Sequence, residues 1–511
     1  MPVKLVCTDN TPMETQVLVV GAGPVGLTMA AELARYGVSV RIVDKNLERS
    51  DKSRALVIWS RTMELLDRTG CGRSFVDAGM KVTRVNLKTD HELLAHLDFE
   101  GVETSHPYAL MIPQDETERL LEKHLNDLGV LVERGTTLTN LEQQPDHAVA
   151  TLQLPDGSLE TPSCEWLIGC DGAHSAVRQL LDLRFEGDTL LSDWILADVH
   201  LSGLEDPDQV NMFWHADGIL ALFPISSGRY RVIADGGASD PSTPHPPAPT
   251  LEQVQQVLDQ RGPGGIALAD AVWLSSFRIN ERKVADYRSG RAFLAGDAAH
   301  IHSPAGGQGM NTGMQDAFNL AWKLALVCQG NCLPEPILDS YSRERSAIGE
   351  QVLKDTGRMT AFAVMRGGIK QAIRNHVASV VLGFASVRRS LANTMCEVTI
   401  GYPEGPLSFD AAHFRDAPVA GERAPIPSGQ TPVGYGREPL FVLAAERDDN
   451  LAGLLAKFPR LLDSNIREPF AKGGAWLVRP DGYVALVAEQ GVWSEVEAYL
   501  SRFAHHQPMK P

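Results

Sequence analysis

The stretch Gln16–Leu33, QVLVVGAGPVGLTMAAEL, sets three glycines, Gly21, Gly23 and Gly26, directly after the apolar run Val17–Val20. The run predicts a buried strand, and the residues from Pro24 to about Tyr36 predict a helix. In a GxGxxG turn of this kind, the first glycine permits the tight turn and the second lets backbone approach a pyrophosphate. The third lets helix and strand pack closely. The helix N-terminus then offers free N–H groups and partial positive charge to the phosphates. A second strand, SVRIVD, ends at Asp44, 23 residues beyond Gly21, where an acid can hold both hydroxyls of a ribose. The stretch therefore reads as a dinucleotide site.

Two later segments decide which dinucleotide. WLIGCDGAHSAVR, Trp166–Arg178, is a strand ending in Asp171-Gly172 and then a helix start. RAFLAGDAAHIHSPAGGQGMNTGMQDAFNLAWKLAL, Arg291–Leu326, is a strand, a Gly-Asp pair, a Pro/Gly-rich loop and a long helix. Asp297 stands at a strand end, placed to accept hydrogen bonds from a polyol. Gly306, Gly307 and Gly309 permit another close backbone approach at a helix N-terminus. One phosphate site at Gly21 and one polyol site at Asp297 suit a cofactor with a ribityl chain, which is FAD.

These three motifs, in this order and spacing, resemble the group A FAD-dependent aromatic hydroxylases: the para-hydroxybenzoate, phenol and aromatic polyketide hydroxylases. The resemblance spans roughly residues 16–402. It implies an FAD-dependent, NADPH- or NADH-consuming monooxygenase that binds FAD without a covalent link. Such an enzyme inserts one atom of O2 into an aromatic substrate through a flavin C4a-hydroperoxide. Gly21, Gly23 and Gly26 would then cradle the pyrophosphate, and Asp44 would hold the adenosine ribose. Arg54, in SRALVIWSRTMELL, matches the arginine that follows a mobile flavin, against the plainer reading of a surface salt bridge. Gln114, in IPQDETERLLEKHL, matches a glutamine on FAD, against a simple helix cap. Asp171 and Arg178 match the motif shared by FAD and NAD(P)H, against a buried structural aspartate. Asp297 would bind the ribityl chain and Pro304 would line the pocket beside the ring. Gly307, Gly309, Met310 and Asn311 would meet the ring through main chain. Arg54 and Pro304 are the residues the resemblance places nearest the chemistry. His300 and His302 are expected to be loop hydrogen-bonders, with no third metal ligand near them.

The fold expected is α/β. A Rossmann-like FAD-binding domain (1–190 and 276–400) would carry an antiparallel substrate sheet (191–275), followed by a linker and a small thioredoxin-like domain (401–511). WILADVHL, VNMFWHAD, GILALFPI and RYRVIADG alternate as amphipathic strands, and GGASDPSTPHPPAPT, Gly236–Thr250, reads as a loop. Phe213, His215 and Phe223 are candidate pocket residues beside Pro304, and the apolar sheet suggests a multi-ring or alkyl-substituted substrate. No catalytic base stands out; His215 and Tyr230 are merely polar residues on that sheet. The prolines and glycines of Tyr402–Pro427 predict a linker, so that residues beyond Pro406 would be removable. PLFVLAAE, NLAGLLAKFPRLLD and GAWLVRPDGYVALV predict a strand, a helix and a hairpin. Residues 397–511 hold no cysteine, which excludes dithiol chemistry there and leaves a structural or dimerising role, with a homodimer one expectation.

The chain has 511 residues, enough for two or three domains, and a net charge of −17. That charge disfavours nucleic acid and anionic membranes. MPVKLVCTDN shows no export signal, and the longest apolar run, VASVVLGFASV, is shorter than the roughly 18–20 residues a spanning helix needs. Seven cysteines without paired metal spacing fit reduced thiols in the cytoplasm. A flavin halogenase would carry a WxWxIP-like motif, and no WxW occurs. A membrane-anchored epoxidase would need apolar helices. A Baeyer–Villiger oxygenation on the same scaffold and a non-oxygenating flavoprotein remain open.

Overall fold

A computed structural model describes residues 15–50, 53–89, 93–240, 243, 246–363, 380–427 and 429–505. The decapeptide read for an export signal, and Val377–Ser379 of the longest apolar run, lie outside them. No helix among the described residues is long and apolar enough to cross a membrane.

The opening motif folds as its residues dictate. Thr15–Val20 is a strand and Pro24–Arg35 a helix, with Pro24 at its first position where its missing N–H costs nothing. Val40–Asp44 follows as a parallel neighbour. On the other side Thr15–Val20 pairs in parallel with Ser163–Gly169, which in turn pairs in parallel with Ala292–Leu294. All three motifs thus reach the same sheet edge, at the carboxyl ends of adjacent parallel strands, where α/β sheets bind ligands. The architecture is α/β with a Rossmann-like layer at its centre.

The second sheet is wider than expected. Its strands run Glu186–Ser202 and Ala267–Lys283, 17 residues each, with Val210–His215, Gly218–Ser226 and Arg229–Ala238 beside them. The hairpin Arg84–Lys88/Leu93–Asp98 extends the far edge, pairing in parallel with Val210–His215. Strand pairing carries to Ala238 opposite Ser192, so the loop expected from Gly236 starts later; Pro241, Ser242, Pro244 and His245 lie outside the described residues. Helix Leu251–Arg261, opened by a capping box of Thr250 and Gln253, covers one face with Val254 and Leu258. The other face turns toward the flavin-binding layer.

The C-terminal segment carries a four-stranded sheet in the order Phe409–Asp410, Val484–Glu489, Gly474–Val478, Val442–Ala444. The expected hairpin is present; the expected helix stops at Lys457, two residues before Pro459. The expected linker is instead a fixed strap. Tyr402 is buried with its hydroxyl accepting from Arg345, and Arg423 pairs with the buried Glu64. Phe441, Leu443 and Trp493 share one continuous core with the Rossmann layer, with Trp322 edge-on to Phe441 at 5.6 Å. The segment is packed into the body of the protein, because its apolar face finds its partners there.

Candidate flavin site

Gly21 has φ +102°, and a Cβ there would strike the Cys170 carbonyl at 2.5 Å. A Cβ on Gly26 would lie 1.8 Å from the Gly21 carbonyl oxygen, so helix and strand touch only because residue 26 is glycine. Gly23 differs: a Cβ there meets nothing within 4 Å. The helix above it has no side-chain cap, leaving first-turn N–H groups facing this open side. Asp44 Oδ2 accepts from Ala22 N at 2.7 Å and Oδ1 from Asn46 N at 2.8 Å. The acid expected on the ribose therefore also braces the glycine turn.

Asp171 and Arg178 join the second motif to the third. Asp171 Oδ2 accepts from Ala176 N and Val177 N at 2.6 and 3.2 Å, capping the short helix Ala176–Leu180. Its Oδ1 is buried and has no partner among the described residues. Arg178 donates to the carbonyls of Ala298 and Ala173 at 2.9 and 2.7 Å and stacks on Phe185. Arg178 thus acts as a clamp on the Asp297 turn.

Asp297 is solvent-accessible but recessed. Surrounding protein pushes its carboxyl above the ordinary aspartate value, against the pull of His300 and Arg54. Its turn is held from behind by Asp316, whose Oδ2 accepts from Gly296 N at 2.9 Å and lies 2.8 Å from His300 Nε2. Arg345 Nε donates to Asp316 Oδ1 at 2.6 Å. Burial alone would raise the Asp316 carboxyl, but Arg345 and His300 hold it below its usual range. His302 Nδ1 donates to the Ser303 carbonyl at 2.9 Å; burial and the neighbouring His300 bring its imidazole down to about 4, so it is neutral at pH 7.

The loop from Pro304 to Asn311 is fixed by residues the sequence reading passed over. Trp59 Nε1 donates to the Gly306 carbonyl at 2.8 Å, and Trp59 N to Asn311 Oδ1 at 2.9 Å. Asn311 Nδ2 returns to the carbonyls of Val57 and Gly307. The Asn311 side chain is fully used, leaving main chain at Gly307, Gly309 and Met310 for a ligand. Gln114 Oε1 accepts from Ala55 N at 3.1 Å, which ties it to the segment carrying Arg54. The Arg54 side chain is exposed; its backbone is not free. Buried Arg231 donates to the Ser53 and Arg54 carbonyls at 2.6 and 2.7 Å and to both oxygens of buried Asp198 at 2.7 and 2.9 Å. A charge at matching positions of two amphipathic strands, Asp198 in WILADVHL and Arg231 in RYRVIADG, was the available signal.

The sheet face toward this loop carries Met212 and Phe223, packed near Val57 and Trp59, and then Trp194, Trp214 and Phe277. Phe223 is on the expected side. Phe213 is not: it packs with Leu220, Leu222, Val254 and Leu258 beneath the covering helix. Strand alternation puts His215 on that same outer face, where its Nδ1 accepts from Asp217 N at 3.1 Å. Phe213 and His215 are thus core and turn residues, since strand register decides which alternate side chains face the flavin-binding layer. Tyr230 also belongs to the outer cluster.

The open Gly23 edge, the unpartnered Asp171 oxygen and the recessed Asp297 fit a cofactor with a pyrophosphate and a polyol. Such a site defines a flavin-binding protein. A family model for the FAD binding domain matches residues 14–356. The chain is 36% identical to the 6-methylpretetramide 4-monooxygenase of Streptomyces rimosus, over 95% of this chain and 93% of that one. It is 34% identical to the pentachlorophenol 4-monooxygenase of Sphingobium chlorophenolicum, over 69% and 66% of the two chains. The solved anhydrotetracycline hydroxylase of Streptomyces rimosus superposes with a TM-score of 0.78 at 31% identity, covering 96% of this chain and 99% of that one. The chain belongs to the group A FAD-dependent aromatic hydroxylases and is a flavin-dependent monooxygenase.

Proposed function

We propose that this monooxygenase hydroxylates a multi-ring or alkyl-substituted phenol, with NADPH or NADH as reductant. The observation that carries the reading is one aromatic sheet face, on which Met212 and Phe223 pack with Val57 and with Trp59, whose indole holds Gly306, and Trp214 and Phe277 continue the row. A broad aromatic wall rewards a large flat ligand through area burial and ring stacking. The names of two relatives, which act on 6-methylpretetramide and anhydrotetracycline, agree with that size. Six described cysteines are free, which supports a reducing, cytoplasmic setting.

Bound FAD supplies hydride acceptance and oxygen activation. The chain's residues hold and shield it. Gly21, Gly23, Gly26 and the helix N-terminus take the pyrophosphate, Asp44 the ribose, and Asp297 the ribityl chain. Gln114 and Asp171 border the cofactor, and Gly307, Gly309, Met310 and Asn311 offer main chain to its ring. Pro304 would line the pocket beside the ring. Arg54 marks the outer edge, where its charge attracts the cofactor's anionic groups. Closing this space around an aromatic ring excludes water from the reacting centre.

The test is substrate-dependent NAD(P)H consumption by the purified yellow protein across a panel of phenols of increasing ring number, followed by labelled O2. Acceleration by multi-ring phenols with one labelled hydroxyl oxygen is expected. Label in an ester oxygen would establish Baeyer–Villiger chemistry instead. Label taken only from water would end the monooxygenase reading.

A further inference from the structure

The long strand Ala267–Lys283 runs along the substrate face and ends beside the loop that leads to Pro304. By strand alternation Trp273, Ser275, Phe277, Ile279 and Glu281 share one side, and Phe277 and Ile279 both pack into the inner aromatic cluster. Glu281 therefore puts a carboxylate on a wall that is otherwise mostly apolar. The strand pairs antiparallel with His300–Ile301, Lys283 opposite His300 and Arg282 opposite Ile301. Continued by one residue, this register sets Glu281 opposite His302, with both side chains on one face.

The third wall is helix Asp339–Ala363. A Cβ on Gly357 would lie 3.3 Å from both Glu281 oxygens, so the carboxylate rests against the helix where a side chain is missing. One turn on, Thr360 and Ser303 bond through their hydroxyls at 2.6 Å, pinning the helix to the loop. Glu281 Oε1 is buried, and so is His302 Nε2; neither has a partner among the described residues. Both atoms can accept a hydrogen bond. His302 carries its hydrogen on Nδ1, where it donates to the Ser303 carbonyl. Burial lifts the Glu281 carboxyl above its ordinary value, and its buried, unpartnered Oε1 keeps a lone pair free to accept. A buried polar atom left unpaired is destabilising, because it has given up water without a replacement. Two such acceptors across one strand pair, at the end of the aromatic face, call for a ligand that brings hydroxyl donors.

We propose that Glu281, with His302 opposite, is the site that binds the hydroxyl of the aromatic substrate. This rests on the phenolic substrate class argued above. The carboxylate accepts the O–H hydrogen bond, fixes which ring edge meets the Pro304 loop, and draws electron density onto the phenolic oxygen. A ring activated in this way is more nucleophilic at the positions ortho and para to that oxygen.

The test uses flavin-loaded wild-type protein and the variants Glu281→Leu and Glu281→Gln. Their probes are a naphthol and the methylnaphthalene in which a methyl replaces the hydroxyl. Binding is read from the change in flavin fluorescence, without turnover. Wild type is expected to prefer the naphthol by about tenfold or more, as a charged hydrogen bond allows. Glu281→Leu should lose that preference through weaker naphthol binding, with methylnaphthalene held as before. Glu281→Gln, which keeps the shape and the fold if leucine does not, should lose roughly threefold or more of it. Equal weakening of both probes, or a preference that survives in both variants, overturns the proposal while leaving the phenolic reading intact. A wild type that binds neither probe overturns the phenolic reading and this proposal with it.

Discussion

Arg479 donates to both oxygens of Glu344 at 2.7 and 2.9 Å, with both side chains fully buried. Arg479 belongs to the C-terminal Arg-Pro-Asp-Gly turn, and Glu344 to the helix whose next residue, Arg345, holds Asp316 behind the Asp297 turn. The same carboxylate receives Lys323 and Asn319, and Asp481 takes the other side of the arginine. The charged groups bring Glu344 down to about 2 despite its burial.

Removing one member of such a cluster strands the rest. Arg479→Met is expected to lower unfolding stability by about 3–5 kcal/mol, seen as a reduced urea midpoint. Deleting residues beyond Pro406 removes the arginine and the shared core together, so the shortened chain should be insoluble or lose FAD. A soluble, yellow truncated protein would show that the segment is independent after all.

Asp44 and Asp297 should separate in their effects. Asp44 braces Ala22 and Asn46, so Asp44→Ala is expected to reduce both FAD affinity and the melting temperature of the FAD-free protein. The Asp297 turn is held by Asp316 through Gly296, so Asp297→Ala should cost about tenfold in FAD affinity with little change in that melting temperature. Equilibrium titration of apo-protein with FAD, beside thermal unfolding, checks both.

Arg54 and Arg231 act on one segment by different means. Arg54→Ala should retain FAD and stability while losing roughly tenfold to a hundredfold of the substrate-induced acceleration of NAD(P)H oxidation. Arg231→Leu should lose that acceleration and also about 3 kcal/mol of stability, because buried Asp198 keeps only its longer contact with Arg229 at 3.6 Å. Equal stability of the two variants in denaturant would contradict the clamp.

Glu397 gives a pH dependence. It is buried, with Gln315 donating to its Oε2, and burial raises its carboxyl from an ordinary 4.5 to about 8. The folded protein keeps this proton while the unfolded chain releases it. Stability from this group is therefore fully present below about pH 4.5 and lost progressively as pH rises toward 8, on the order of a few kcal/mol in all. Glu397→Gln should flatten that decline, gaining several degrees in melting temperature over wild type at pH 9 and little at pH 5.

Residues 16–33, 166–178 and 291–326 were legible in the sequence because their chemistry is local. A glycine that must pass another backbone, a proline at a helix start and an acid at a strand end depend on neighbours a few residues away. The parallel sheet then brings the three segments together, and with them FAD and the class of reaction. Phe213 and Phe223 were not separable in the same way. They are alike in composition and sit on adjacent strands, and only the register and the covering helix Leu251–Arg261 decide that one faces the flavin-binding layer and the other the outer core.

Tertiary structure alone also supplied the long-range pairs. Arg231 with Asp198, Arg479 with Glu344 and Glu281 opposite His302 join residues tens to hundreds of positions apart. Their energetics come from burial, since a charge or acceptor that is unremarkable in solvent becomes costly once water is excluded. No local pattern records which distant partner will meet it there. For the same reason the proline-rich stretch from Tyr402 reads as a linker in sequence and becomes a strap in the fold: its composition favours turns, while its position is set by the buried ion cluster and the shared core beneath it.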